Sequence, residues 1–232
     1  MNRILKLSVW IFILFLSLGF RVSSGKWAIS KSDPTLWIKL CNASLTIEEN
    51  DIREADPLMG LNDLTYAQVI QSVIDDYNNI PTSYLRLALY PADPNNPGTP
   101  AAGDSVFTVD KAKNRTIEIC FGETDAAAGV SGGYAKPNVQ GGEFVTCEIR
   151  ARPEHAKKVR FMVHLLTHEL GHCLSLQHPQ EATHSVMSYF TNDSPFLRLQ
   201  NDDYAGITFR YPKDELYGKE DPTFGLKGCS PK

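Results

Sequence analysis

The stretch His168-Glu169-Leu170-Gly171-His172-Cys173-Leu174-Ser175-Leu176-Gln177-His178 carries three imidazoles and one carboxylate within eleven residues. In a helix, His168 and His172 lie four apart, so both project from one face and can share a metal. Glu169 sits one residue along, where its carboxylate can reach a metal-bound water without joining the ligand set. His178 is too far beyond His172 to share that face. It completes a site only if the chain turns sharply after about Leu174. Three neutral nitrogens with an open fourth position form the arrangement of a catalytic zinc, whereas structural zinc is usually closed by four protein ligands. The competing reading, an amphipathic helix that happens to carry histidines, leaves the third histidine unexplained. His164, one turn before His168, is a rival ligand, and a place beside the ligands or partly in the core is the alternative for it.

Of the 232 residues, 42% are apolar and 22% charged, with a net charge of −4. That describes one ordinary globular domain with enough apolar surface for a proper core. Mild acidity without a basic stripe argues against nucleic acid as a partner. Arg3 and Lys6, the apolar run 7–20 and the small residues Val22-Ser23-Ser24-Gly25 read as an export signal over 1–25. The run falls short of the roughly 20 residues of a spanning helix, so no membrane association is expected after cleavage. An exported chain meets oxidising conditions, so disulfides are expected among Cys41, Cys120, Cys147, Cys173 and Cys229. Their pairing is open, although Cys229 is one partner considered for Cys41. The expected location is extracellular, or periplasmic in a bacterium. Sequons stand at Asn42, Asn114 and Asn192.

TLWIKL at 35–40 reads as a strand, as do 84–90, 115–121, 129–135 and 143–149, the last two joined by a turn rich in Gly, Pro and Asn. A first helix starts near Thr65, where Thr65 and Gln68 suit a capping box. Tyr66, Val69, Ile70, Val73, Ile74 and Tyr77 form its apolar stripe, and Pro81 stops it. A second helix over 159–176 carries the histidines, with Val159, Val163, Leu166, Leu170 and Leu174 as its buried stripe. A last helix is expected from about Asn201 to Arg210, capped by Asn201, with Asp202 and Asp203 near its N-terminus.

HELGHCLSLQHP followed by His184-Ser185-Val186-Met187-Ser188-Tyr189 resembles the metzincin zinc peptidases. Within them, Leu199-Gln200-Asn201-Asp202-Asp203-Tyr204-Ala205-Gly206-Ile207 is similar to the C-terminal helix of matrixins, and Lys26-Trp27 to the start of their catalytic domain. The Ser-Val-Met-Ser-Tyr stretch is closer to serralysins and astacins. The resemblance implies an α+β zincin fold over 26–232. A twisted, mixed, five-stranded sheet would be backed by two helices, above a small lower lobe with a methionine turn and the last helix. It implies that Met187 supports the ligands from below without binding metal, and that Asp202 and Asp203 anchor its turn. One catalytic zinc would sit on His168, His172 and His178, with structural calcium left open. Glu169 would be the general base, and Tyr189 either an oxyanion stabiliser or a buried aromatic. The substrate would be a protein or peptide, cut by a secreted monomer. A pocket for a bulky apolar side chain just after the scissile bond would draw on Phe190, Phe196 and Leu197, for which packing in the lower lobe is the other use.

Three departures stand out. The glycine three residues after the second histidine is Ser175 here, at a position where the chain normally leaves the helix at positive φ. No histidine- and aspartate-rich segment lies between Arg115 and Ile149. No prodomain or cysteine-switch motif precedes Trp27, so activity without propeptide removal is expected. The competing class is a secreted zinc-retaining binding protein, a decoy or adhesin without peptidase activity. Glu169 discriminates, because such a protein can lose it without losing metal.

Overall fold

The structure is a computed structural model that describes residues 21–41, 47–53, 55–90, 92–93, 96–100, 115–121, 132–179, 184–188 and 196–214. Tyr189, Phe190, Cys229, Asn42, Asn114, Asn192 and the run 7–20 lie outside them.

The central sheet is mixed. Strands β2 (Lys26–Trp27), β3 (Thr35–Leu40), β4 (Arg86–Leu89), β7 (Thr116–Phe121), β8 (Gly133–Gln140) and β9 (Glu143–Ala151) follow the order β2-β9-β7-β3-β4, with β8 also paired to β9. All neighbours run parallel except β8 and β9, an antiparallel hairpin. Its two turn residues, Gly141 and Gly142, have φ of 60° and 85°, conformations that glycine takes without a Cβ penalty. The sheet therefore has six strands rather than five, because Lys26 and Trp27 add a short strand against Glu143 and Phe144. Two small pairs lie apart from it: β1 (Arg21–Val22) with β10 (Leu176–Gln177), and β5 (Ala92–Asp93) with β6 (Asn96–Pro100).

Helix α1 (Tyr66–Asn78) carries the expected capping box: Thr65 Oγ1 accepts the Gln68 N–H at 3.3 Å, and Gln68 Oε1 accepts the Thr65 N–H at 2.8 Å. Its whole apolar stripe is buried, and Pro81 lies just past its end. Helix α2 (Val159–Cys173) is buried almost all round, with the sheet on one side and the lower lobe on the other. Leu36 and Ile38 of β3, Ile117 and Ile119 of β7 and Ile149 of β9 join Val163, Leu166 and Leu170 in one apolar cluster. Burying each such side chain contributes roughly 1.5–3 kcal/mol. That cluster is what makes α2 a rigid platform.

Several boundaries differ from the sequence expectation. Helix α2 ends at Cys173, because Ser175 turns the chain at φ 80° and 176–177 become β10. The strand expected over 129–135 is β8, which begins at Gly133 and runs through Pro137 to Gln140. Proline is tolerated there because β8 is an edge strand. The strand expected over 84–90 is shorter, at Arg86–Leu89. Helix α3 (Asn201–Arg210) is capped at Gln200 rather than Asn201: the Asp203 carboxylate, three residues into the helix, accepts the Gln200 N–H at 2.8 Å.

Two disulfides form among the described residues. Cys41 pairs with Cys120, tying β7 to the residue after β3, so the Cys229 pairing considered for Cys41 does not hold. Cys147 of β9 pairs with Cys173, the last residue of α2.

Candidate metal centre

His168 and His172 stand one turn apart on α2, and the turn at Ser175 brings His178 back beneath them. His178 Nε2 lies 3.0 Å from His168 Nε2 and 3.1 Å from His172 Nε2. The other ring nitrogens are held by backbone carbonyls: His168 Nδ1 by Val186 O at 2.7 Å and His172 Nδ1 by Leu176 O at 2.9 Å. A carbonyl only accepts, so each Nδ1 carries the proton and each Nε2 presents a lone pair. Burial, followed by the neighbouring imidazoles, pushes His168 down to about 3 and His178 to about 4. Burial lowers His172 as well. All three rings are therefore neutral at pH 7, the form that ligates metal.

The donor set fits zinc. Tetrahedral zinc with bonds of about 2.0–2.1 Å to nitrogen places its ligand atoms roughly 3.3 Å apart, close to the spacing found here. Among the described residues one other group gathers ligand atoms, Cys41, Glu118 and Cys120, but its two sulfurs are spent in a disulfide. His164 does not join the centre. Its Nδ1 is taken by Phe196 O at 2.9 Å, which fixes the chain that follows the methionine turn.

Glu169 is 6% exposed and points to β8, where the Ala135 N–H donates to its carboxylate. Burial pushes its carboxyl up to about 7, against the pull of that hydrogen bond.

Ser175 leaves the helix with the positive φ that a glycine would take freely, at a cost to serine of roughly 1–2 kcal/mol. The residue is fully buried, and its Oγ donates to Gly25 O at 2.5 Å. That bond offsets much of the strain. The geometry expected of a glycine thus survives in a serine.

Beneath the rings lies the turn at Ser185–Ser188. Asp203, 1% exposed, accepts the Ser185 hydroxyl at 2.5 Å and the Val186 N–H at 3.0 Å, and Ser185 Oγ accepts the Met187 N–H at 3.0 Å. Burial raises the Asp203 carboxyl, while its hydrogen bonds draw it down. Since the Val186 carbonyl orients His168, Asp203 acts on the centre through one peptide unit. Of the two aspartates expected to anchor the turn, Asp203 holds it through Ser185 and Val186. Met187 packs against Gly171, between the two histidines of α2: a Cβ on Gly171 would fall 2.3 Å from Met187 Sδ.

Sequence reasoning missed Arg198. Its guanidinium meets Asp56 at 2.8 and 2.9 Å, Asp76 at 2.9 Å and Ser72 Oγ at 2.8 Å, tying the segment after the turn to α1. Nothing in the local pattern around Arg198 signals partners so far away along the chain.

Residues 97–212 match the matrixin family, Peptidase_M10. That stretch is half of the chain and holds the three histidines, Glu169, Met187 and Asp203; the protein belongs to the matrixin family. No curated relative matches it. Among solved structures it is similar to the GM1 bound form of the ECX AB5 holotoxin, at 12% identity and a TM-score of 0.47, over 84% of this chain and 88% of that one. A likeness at that level says nothing about activity.

Proposed function

We propose that this protein is an exported zinc-dependent endopeptidase, with zinc held by His168, His172 and His178 and with Glu169 as general base. The observation that carries the reading is the convergence of three neutral Nε2 atoms with a buried carboxylate beside them and no fourth protein ligand among the described residues. Zinc, when bound, supplies Lewis acidity at the scissile carbonyl and to the attacking water. Glu169 takes the proton of that water and hands it to the leaving amine nitrogen. Its burial favours both steps, because a carboxyl raised toward neutrality gives up a proton as readily as it accepts one.

The substrate is a peptide in extended form. β8 is an edge strand whose Ala135 N–H already reaches Glu169, so a peptide added to that edge passes the carboxylate. The side chain just after the cut enters between α2 and the segment around Phe196 and Leu197, which favours bulky apolar residues. Tyr189 is proposed to steady the oxyanion. Two disulfides suit an oxidising compartment, and no helix among the described residues is long and apolar enough to cross a membrane.

Glu169→Gln tests the assignment. Peptide cleavage should fall at least about 1,000-fold while the bound zinc stays near one per chain. Turnover retained in that variant would refute the role of Glu169.

A further inference from the structure

The N-terminal residues Arg21 to Gly25 grip the three residues that lead to His178. β1 pairs antiparallel with β10, Arg21 opposite Gln177 and Val22 opposite Leu176. The Ser23 N–H donates to Ser175 O at 2.8 Å, and Ser175 Oγ donates to Gly25 O. Every residue between Leu174, the cap that follows α2, and His178 is therefore engaged. Arg210 of α3 also holds the strap, donating to Ser23 O at 2.6 Å and Gly25 O at 2.5 Å. Trp27 Nε1 donates to the Cys173 carbonyl at 2.7 Å, satisfying an acceptor that the helix end leaves open. Gly25 itself is pressed against Phe144, where a Cβ would fall 2.3 Å from a ring carbon. Leu176, opposite Val22, also supplies the carbonyl that orients His172.

We propose that this strap is a working part of the metal centre: by fixing 175–177 it positions His178 directly and His172 through the Leu176 carbonyl, with Ser175 as the positioning residue. The inference rests on the reading that the three histidines hold zinc. It also makes N-terminal processing a control on metal retention. A cut before Arg21 leaves the strap in place, whereas a cut after Gly25, where the sequence reading ends the export signal, removes it.

The test uses the full-length chain, its Ser175→Gly and Ser175→Ala variants and a form beginning at Lys26. The zinc Kd is measured by chelator competition, the ligand geometry by the visible spectrum of the cobalt-substituted protein, and the fold by thermal melting after metal removal. Ser175→Gly is the discriminating variant. It relieves the positive-φ strain as it loses the bond to Gly25, so Tm should hardly move, whereas the zinc Kd should rise about 10-fold. Ser175→Ala should weaken zinc at least as much, and the Lys26 form by about 10–100-fold, the range for losing groups that orient ligands. The cobalt bands should shift in all three. An unchanged Kd and cobalt spectrum in both Ser175 variants would overturn the proposal, whether or not the Lys26 form folds. So would an exported protein that begins at Lys26 and keeps tight zinc. Absence of zinc binding by the full-length protein would instead sink the zinc reading on which the proposal stands.

Discussion

Replacing Asp203 should separate the stability of the lower lobe from the quality of the metal centre. The carboxylate is almost fully buried and accepts three donors: the Ser185 hydroxyl at 2.5 Å, the Val186 N–H at 3.0 Å and the Gln200 N–H at 2.8 Å. Asp203→Ala strands all three. At about 1–3 kcal/mol for each buried unsatisfied group, and with partial relaxation, the loss is about 3–6 kcal/mol. That is a large share of the 5–15 kcal/mol typical of a domain. Asp203→Asn is milder. Its amide oxygen can still accept both N–H groups, but its NH2 faces Ser185 Oγ, whose proton then needs a new acceptor. One hydrogen bond is lost, about 1–2 kcal/mol. Because Val186 also supplies the carbonyl on His168 Nδ1, zinc affinity should fall about 10-fold in the asparagine variant and up to 100-fold in the alanine variant. Urea unfolding and chelator competition read the two effects separately. Equal stability of all three proteins, or normal zinc affinity in a measurably destabilised Asp203→Ala, would refute the linkage from Asp203 through Val186 to His168.

Arg198→Ala leaves Asp56 and Asp76 facing each other without their shared cation; urea unfolding should show a loss of about 3–5 kcal/mol, and a loss below 1 would mean the network is idle. Gly171→Ala drives a methyl toward Met187 Sδ, an overpacking cost of about 1–3 kcal/mol against a helix-propensity gain near 1, so the melt should fall slightly. Shortening the sulfur side chain with Met187→Ala should make Gly171→Ala favourable, and additive effects would argue against the contact. The metal-free protein should weaken in acid. His168 is depressed from 6.5 to about 3 on folding, so its contribution is present above pH 6.5 and is lost as pH falls toward 3. Between pH 7.5 and 4.5 that amounts to about 3 kcal/mol, and a flat urea midpoint over this range would contradict it.

The parts of this fold that are local in sequence were legible in it. The capping box at Thr65, the stripe of α1 and the pair on α2 follow from spacing alone. β8 was misplaced because an edge strand carrying Lys136, Pro137 and Asn138 lacks apolar alternation, and its extent comes from pairing with β9. The short β2 and β1 escape notice because two residues carry no period. Cys41 could not be matched to Cys120 without the parallel pairing of β3 with β7, since 79 residues separate them. Ser175 looked like an obstacle to the turn because its partner, Gly25, lies 150 residues away. The cap of α3 moved to Gln200 for a related reason: the acceptor was Asp203, already engaged with the methionine turn.

Helix α2 has hardly any face on which its sequence can drift. Of its residues only Arg160, Phe161 and His172 are not buried, and one of these belongs to the histidine cluster. A substitution nearly anywhere else along it disturbs core packing and ligand placement together. On the proposed peptidase reading, variation that retunes substrate preference would then fall on the neighbours of α2, namely the rim of β8 and the segment that carries Phe196 and Leu197. A mutant library aimed at new preferences should be built there, and one aimed at α2 should return few folded members.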